Sequence, residues 1–176
     1  MWRYASKESL VKIILFILML ISFPSYSTQQ IEEVFIADGS TNDVKARPLE
    51  ELYKFDDILA MLQSQGFCSA NWRGYKGTWE LKGNELFLNS MVNGACDENA
   101  PLVDSVLFFG EKSFPFKVVW FNGVIEVITS DVIPYVDGRK ANGDPNYLGY
   151  DYDAIIYEFS SGELINKSEK KIKFRF

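Results

Sequence analysis

The chain has 176 residues, 18 lysines and arginines against 24 aspartates and glutamates, a formal net charge of −6, and no histidine. An acidic domain of this kind is repelled by nucleic acid and by anionic lipid. The missing histidine removes the usual general base of serine and cysteine hydrolases and the commonest metal ligand, and with two cysteines a tetrahedral zinc site would need carboxylates to complete it.

Arg3, Lys7 and Lys12 lead into an unbroken apolar run of nine residues, 13–21, and Pro24 follows. That is the order of a cleavable secretory signal peptide. The run falls short of the roughly 20 residues a bilayer span needs, so no membrane anchor is expected after cleavage. Ser25 and Ser27 supply small side chains for a signal peptidase, which places the cut after Ser27. Residues 1–27 are thus read as the leader and 28–176 as a single β-rich domain, periplasmic or secreted. Removing the leader takes away three bases and one acid, leaving 15 against 23 and a net charge of −8. Export carries Cys68 and Cys96 into an oxidising compartment, where such a pair is expected to close as a disulfide. A loop of about 29 residues closed in this way contributes roughly 3.5 kcal/mol in the chain-entropy description.

The mature chain predicts a mainly β fold of antiparallel hairpins, arranged as a sandwich or a strongly curved sheet, with one short amphipathic helix. Residues 31–37 form a strand, and the polar stretch 38–47 reads as a loop. Pro48 opens a helical region in which Phe55, Ile58, Leu59 and Leu62 share one face, Asp56 serves as cap and Gly66 ends the pattern. From Trp79 the period becomes two. A turn at Gly83-Asn84 sets Lys82 opposite Glu85, Leu81 opposite Leu86 and Trp79 opposite Leu88, which puts Trp79, Leu81, Leu86 and Leu88 on a buried face and Glu80, Lys82 and Glu85 on the other. A second hairpin is predicted at Asn122-Gly123, with Trp120 opposite Ile125 and Val118 opposite Val127. The loop 138–152 is rich in Gly, Asn, Asp and Tyr, a composition that often carries binding function. A third hairpin joins 154–159 to 163–166 through Ser161-Gly162, and 170–176 alternates Ile172, Phe174 and Phe176 with Lys171, Lys173 and Arg175 as a final strand with one basic face. Residues 75–81 and 121–127 share the pattern aromatic, any, Gly, any, apolar, Glu, aliphatic, which raises an internal two-fold repeat as one reading.

The stretch Ala-Asn-Trp-Arg-Gly-Tyr-Lys-Gly-Thr-Trp-Glu-Leu-Lys of residues 70–82, the Leu-Phe-Leu of 86–88 and the Trp-Phe-Asn-Gly of 120–123 resemble a group of uncharacterised bacterial proteins. That group repeats a Trp-Arg-Gly-Tyr-x-Gly-Thr-Trp-Glu core before a Leu-Tyr-Leu strand and then an aromatic-x-Gly hairpin. The resemblance implies a bacterial source and a β-rich domain, and it brings no activity with it.

No Gly-x-Ser-x-Gly elbow, phosphate loop or dinucleotide fingerprint is present, and no cofactor is expected. Glu80, Glu126, Asp151 and Asp153 are the acids that could form a glycosidase pair, although acids alternating with apolar residues are ordinarily the wet face of a sheet. Asp137, Asn142, Asp144, Asp151 and Asp153 crowd one loop without the spacing of a twelve-residue calcium loop. Trp79 and Trp120 are assigned to the core. Trp72, Arg73 and Tyr75 are the candidate binding residues: an exposed aromatic pair with an arginine stacks on a sugar ring or anchors a protein, whereas core packing is the competing and favoured role for Trp72. The leading expectation is a non-catalytic exported binding protein with a protein or glycan partner, for example one that masks a toxin as small acidic immunity proteins do. A carbohydrate-binding module and a carboxylate-based glycoside hydrolase are the alternatives. Mass spectrometry of the exported protein is expected to place its new N-terminus within two or three residues of Thr28, and a mature product that retains Met1 would contradict the export reading.

Overall fold

The computed structural model describes residues 29–62, 68–94, 96, 99–110, 112–139, 143 and 145–176. The predicted leader and its cleavage point, the Gly66 helix stop, and Asn142 and Asp144 lie outside these. Nine strands form one sheet in the order β2-β1-β3-β4-β9-β8-β6, with the short β5 on β4 and β7 on β8. They are β1 (Glu33–Ala37), β2 (Ser40–Val44), β3 (Tyr75–Lys82), β4 (Glu85–Asn93), β5 (Phe116–Lys117), β6 (Gly123–Ile128), β7 (Ile133–Arg139), β8 (Pro145–Ser160) and β9 (Glu163–Arg175). The fold is mainly β, as the sequence predicts. Its sheet is mixed, however, because β1 runs parallel to β3, and among the described residues it has two short α-helices, not one: α1 (Phe55–Met61) and α2 (Ser105–Phe109).

The sheet curls until distant strands meet. Three strands separate β1 from β8 in the sheet, yet the rings of Phe35 and Tyr157 pack edge to face at 5.2 Å. At the rim of the curl, Asp38 of the β1–β2 turn accepts hydrogen bonds from the Tyr157 hydroxyl at 2.5 Å and from Lys167 at 2.8 Å. Tyr75, Trp79, Leu86, Leu88, Met91 and Ile125, all fully buried, converge inside. Ile58 of α1 and Leu62 at its C-cap join the same core. Phe108, Phe116 and the half-buried Phe109 and Trp120 fill another region, where Phe109 stacks on Trp120 at 5.6 Å.

The first hairpin has the predicted register, Lys82 with Glu85, Leu81 with Leu86 and Trp79 with Leu88, and a bulge between Thr78 and Trp79 precedes it. The third hairpin turns at Ser161 and Gly162, both with positive φ. Its second strand and the predicted C-terminal strand are one continuous β9.

Four expectations are corrected. The stretch 38–47 holds β2, paired to β1 through Asp38-Gly39. The φ values of 53° and 77° there are those of a type I′ turn, which Asp-Gly favours. Asp56 lies in the first turn of α1, whose N-cap is Lys54, and the helix has seven residues. The loop 138–152 is largely strand, in which β7 and β8 pair from Ile133 with Asp151 to Arg139 with Pro145. Asn122-Gly123 makes no hairpin: β6 starts at Gly123 and pairs with β8, not with the residues before it. The Asn122 amide N–H donates to Glu51 Oε2 at 2.8 Å and its side-chain oxygen accepts from Ser161 N at 2.9 Å. Asn122 therefore ties down the β8–β9 turn as the chain crosses to a new sheet edge. The two similar heptapeptides consequently have different strand partners, β1 and β4 for the first and β8 for the second.

Replacing Trp79 with Ala is expected to cost about 3–5 kcal/mol in urea unfolding, because the indole fills the centre of the core. Glu80→Ala, which removes a partly exposed side chain beside Lys82 and Asn89, should cost under about 1 kcal/mol; equal losses would contradict the assignment of the two faces.

Candidate functional site

Trp72, Arg73 and Tyr75 lie on the approach to β3, and the structure separates them. Tyr75 is fully buried and Arg73 is 5% exposed, whereas Trp72 is 60% exposed. The core role favoured for Trp72 is thus corrected. The cause is local: Gly74, at φ +73°, packs beneath Leu59 of α1 and Leu62 at its C-cap, while the Trp72 amide is held at the surface by Gln30 Oε1 at 3.1 Å. A sugar ring cannot stack on Arg73 and Tyr75 where they lie. Cys68 and Cys96, joined as a disulfide with Cα atoms 6.6 Å apart, brace the same approach.

Arg73 is turned inward by Glu33, a residue the sequence reading passed over. Glu33 stands first in β1 on the core side and is fully buried. Its Oε1 accepts from Arg73 Nη1 at 2.8 Å, and its Oε2 accepts from the Gly77 amide at 2.5 Å and from the Trp79 indole at 3.1 Å. Arg73 Nη2 donates to the Ile31 carbonyl. Position 77 has to be glycine, because a Cβ there would stand 2.6 Å from Glu33 Oε2 and 2.8 Å from Trp79 Nε1. Burial pushes the Glu33 carboxyl up to about 7, against the pull of Arg73 and of the Trp79 and Gly77 donors. Burial likewise pushes the Tyr75 phenol up. A depression of about 380 Å³ outside Arg73 is lined by Gln30, Glu32, Lys45 and Arg47, and Glu33 lies behind Arg73 with no exposed surface. The pair therefore serves as an internal clasp between β1 and β3.

Three of the four acids considered for glycoside hydrolysis are held by their own neighbours. Asn89 and Lys82 bond Glu80 and hold its carboxyl below the usual range. Glu126 accepts from the Tyr152 hydroxyl at 2.8 Å. Arg175 binds Asp151 at 2.6 Å and holds its carboxyl down, and Asp153 is exposed beside it in β8. Among the described residues no three acids or cysteines gather at metal-binding distance.

A larger surface feature stands apart from the core. β7, the first half of β8 and the second half of β9 form a three-stranded ribbon, and among the described residues none from 129–153 or after Leu164 belongs to the hydrophobic core. The core-facing row of β8 explains the boundary. It runs Phe159, Tyr157, Ile155 and then Asp153, Asp151, so apolar burial stops where the acids begin. These acids stand opposite Lys171 and Lys173 of β9, and the Arg175 guanidinium lies 4.0 Å over the Tyr135 ring. The other face carries Tyr150, Tyr152, Ile172 and Phe174, with Phe176 just past the end of β9. Tyr150 stacks on Phe174 at 5.0 Å and meets Phe176 edge to face at 5.9 Å. Every residue of β7 is exposed, and Ile133, Tyr147 and Phe176 reach 63%, 52% and 78%. The alternation in 170–176 already signals this ribbon in the sequence, but the end of β7 and the first half of β8 fall in the stretch 138–152 read as a loop.

The chain matches no protein-family model, no curated protein and no solved structure. Among the described residues no helix is long and apolar enough to cross a membrane.

The raised Glu33 carboxyl has a consequence for pH. Because Glu33 binds its proton more tightly folded than unfolded, its contribution to stability is present below about 4.5 and is lost as pH rises through about 7. Wild type compared with Glu33→Gln should thus lose relative stability over that interval in thermal melts, and a relative gain would mean that Arg73 dominates over burial. Glu33→Ala, which leaves Arg73 buried without its counter-charge, should cost about 3–5 kcal/mol.

Proposed function

We propose that the protein is an exported, non-catalytic binding protein whose β7–β8–β9 ribbon docks a protein partner. The observation that carries this reading is the ribbon itself: about two dozen ordered residues that contribute nothing to the core and display Tyr135, Tyr147, Phe174 and Phe176 to solvent. Aromatic residues on rigid strands are the side chains that dominate protein interfaces, and contiguous apolar surface on a monomer marks interaction sites. A disulfide within the body supports the exported setting.

The test uses mature protein immobilised against an exported fraction of its host. Phe174→Ser is expected to reduce capture of the specific partner at least tenfold while leaving the melting temperature within about 2 °C, because Phe174 lies outside the core. A Trp72→Ala control should retain capture. Full capture by the Phe174 variant together with loss by the Trp72 variant would move the interface to the β3 approach.

A further inference from the structure

The ribbon has a free margin along β9. This strand meets β4 only where Glu85 pairs with Glu163, and it meets β8 along its other side. From Ile165 to Arg175 its outer edge thus faces no strand among the described residues. The register shows which backbone groups point outward. The Phe176 amide donates to Leu148 O at 3.0 Å, and Phe174 and Ile172 stand opposite Tyr150 and Tyr152. In an antiparallel ladder this alternation turns the even-numbered peptide groups toward β8 and leaves those of Glu169, Lys171, Lys173 and Arg175 directed away from it.

A long edge of this kind invites pairing with another chain. Lys167, Lys170, Lys171, Lys173 and Arg175 against one acid, Glu169, line it, within a protein of net charge −6. Lys167 pairs with Asp38, Lys170 with Glu158 and Arg175 with Asp151. Lys171 and Lys173 make no ion pair within 4.0 Å among the described residues, though Asp153 and Asp151 stand opposite them in β8. A second copy laid along this edge would set lysine against lysine, which is destabilising. An acidic strand would meet the complementary sign. An anionic membrane fits less well, since Asp151 and Asp153 share the face of Lys171 and Lys173.

We propose that the outer edge of β9 is a strand-addition site for an extended acidic segment of a partner protein, one in which acids alternate with apolar residues. The acids would lie beside Lys171 and Lys173, and the apolar side chains beside Ile172 and Phe174. Main-chain hydrogen bonds supply affinity in this mode and the alternating side chains supply selectivity. The assignment rests on the reading of the ribbon as a docking element and names the chemistry of its partner.

The experiment measures binding of fluorescein-labelled ten-residue peptides to the mature protein by anisotropy at low and at physiological salt. The probes are a Glu-Val alternating peptide, its Lys-Val counterpart, and a peptide with the same five glutamates and five valines in two blocks. The Glu-Val alternating peptide is expected to bind at least tenfold more tightly than either control and to weaken with salt. Lys171→Glu combined with Lys173→Glu should reverse the preference toward the Lys-Val peptide. Lys173→Pro removes an outward N–H while sparing the β8–β9 ladder, and it should weaken binding at least tenfold, whereas Lys173→Gln, which keeps that N–H, should weaken it less. Unchanged binding by the Lys173→Pro variant, equal binding of the block peptide, or a preference for phosphatidylglycerol vesicles over the peptide would each overturn the proposal. If no peptide binds while Phe174→Ser still abolishes partner capture, strand addition is refuted and the docking reading stands.

Discussion

The buried carboxylate of Glu33 is the interaction around which the rest of the structure is arranged. A charge removed from water needs donors at short range, and Glu33 gathers three from the approach to β3 and from β3 itself: Arg73, the Gly77 amide and the Trp79 indole. Serving those donors fixes β3 alongside β1 in the parallel sense. It also orients the largest core side chain and turns Arg73 away from the surface. Trp72, the next residue back, is consequently left on the outside. Gly77 belongs to the same constraint, because any side chain there would collide with the carboxylate and the indole.

From this clasp the sheet curls around the core, and its end is marked by chemistry along single strands. The inward row of β8 changes from Tyr157 and Ile155 to Asp153 and Asp151, while the facing row of β9 is charged from Lys167 onward. Past that line the strands remain paired, with Arg175 bonded to Asp151 and Tyr150 stacked on Phe174 across the ladder. The hydrophobic core and the proposed docking surface thus fall on different stretches of the same two strands. The body keeps β1, β3, β4, β6 and the second half of β8. The ribbon keeps the exposed aromatics and the lysine- and arginine-rich edge of β9.

Local pattern carried the parts of this fold that local pattern determines. The faces of β3 and β4, their register and the Ser161-Gly162 turn could be read directly, because period-two alternation and a two-residue turn leave one consistent pairing. Asn122-Gly123 misled because the same dipeptide that fits a type I′ turn also offers a side chain that can cap another turn, and Glu51 and Ser161, distant in sequence, decide between the two. The Asp38-Gly39 signal was present but sat in a polar stretch whose strand, β2, is solvent-facing. Glu33 escaped notice because an acid beginning an apolar strand looks like a surface residue until Arg73, forty positions on, is folded against it. For the same reason Trp72, Arg73 and Tyr75 looked like one cluster in the sequence and are two environments in the structure.

The central claim is that folding energy resides in the curled body and that the ribbon is ordered for a partner. Native-state hydrogen exchange on the protein tests it most directly. Amides of β1, β3 and 154–159 should exchange only through global unfolding. Those of β7, 145–153 and 169–175 should exchange through local opening at clearly lower free energy, and should gain protection when the partner or an acidic strand binds. A ribbon protected to the same global limit in the free protein would show that it is an integral part of the folding unit and would contradict the account.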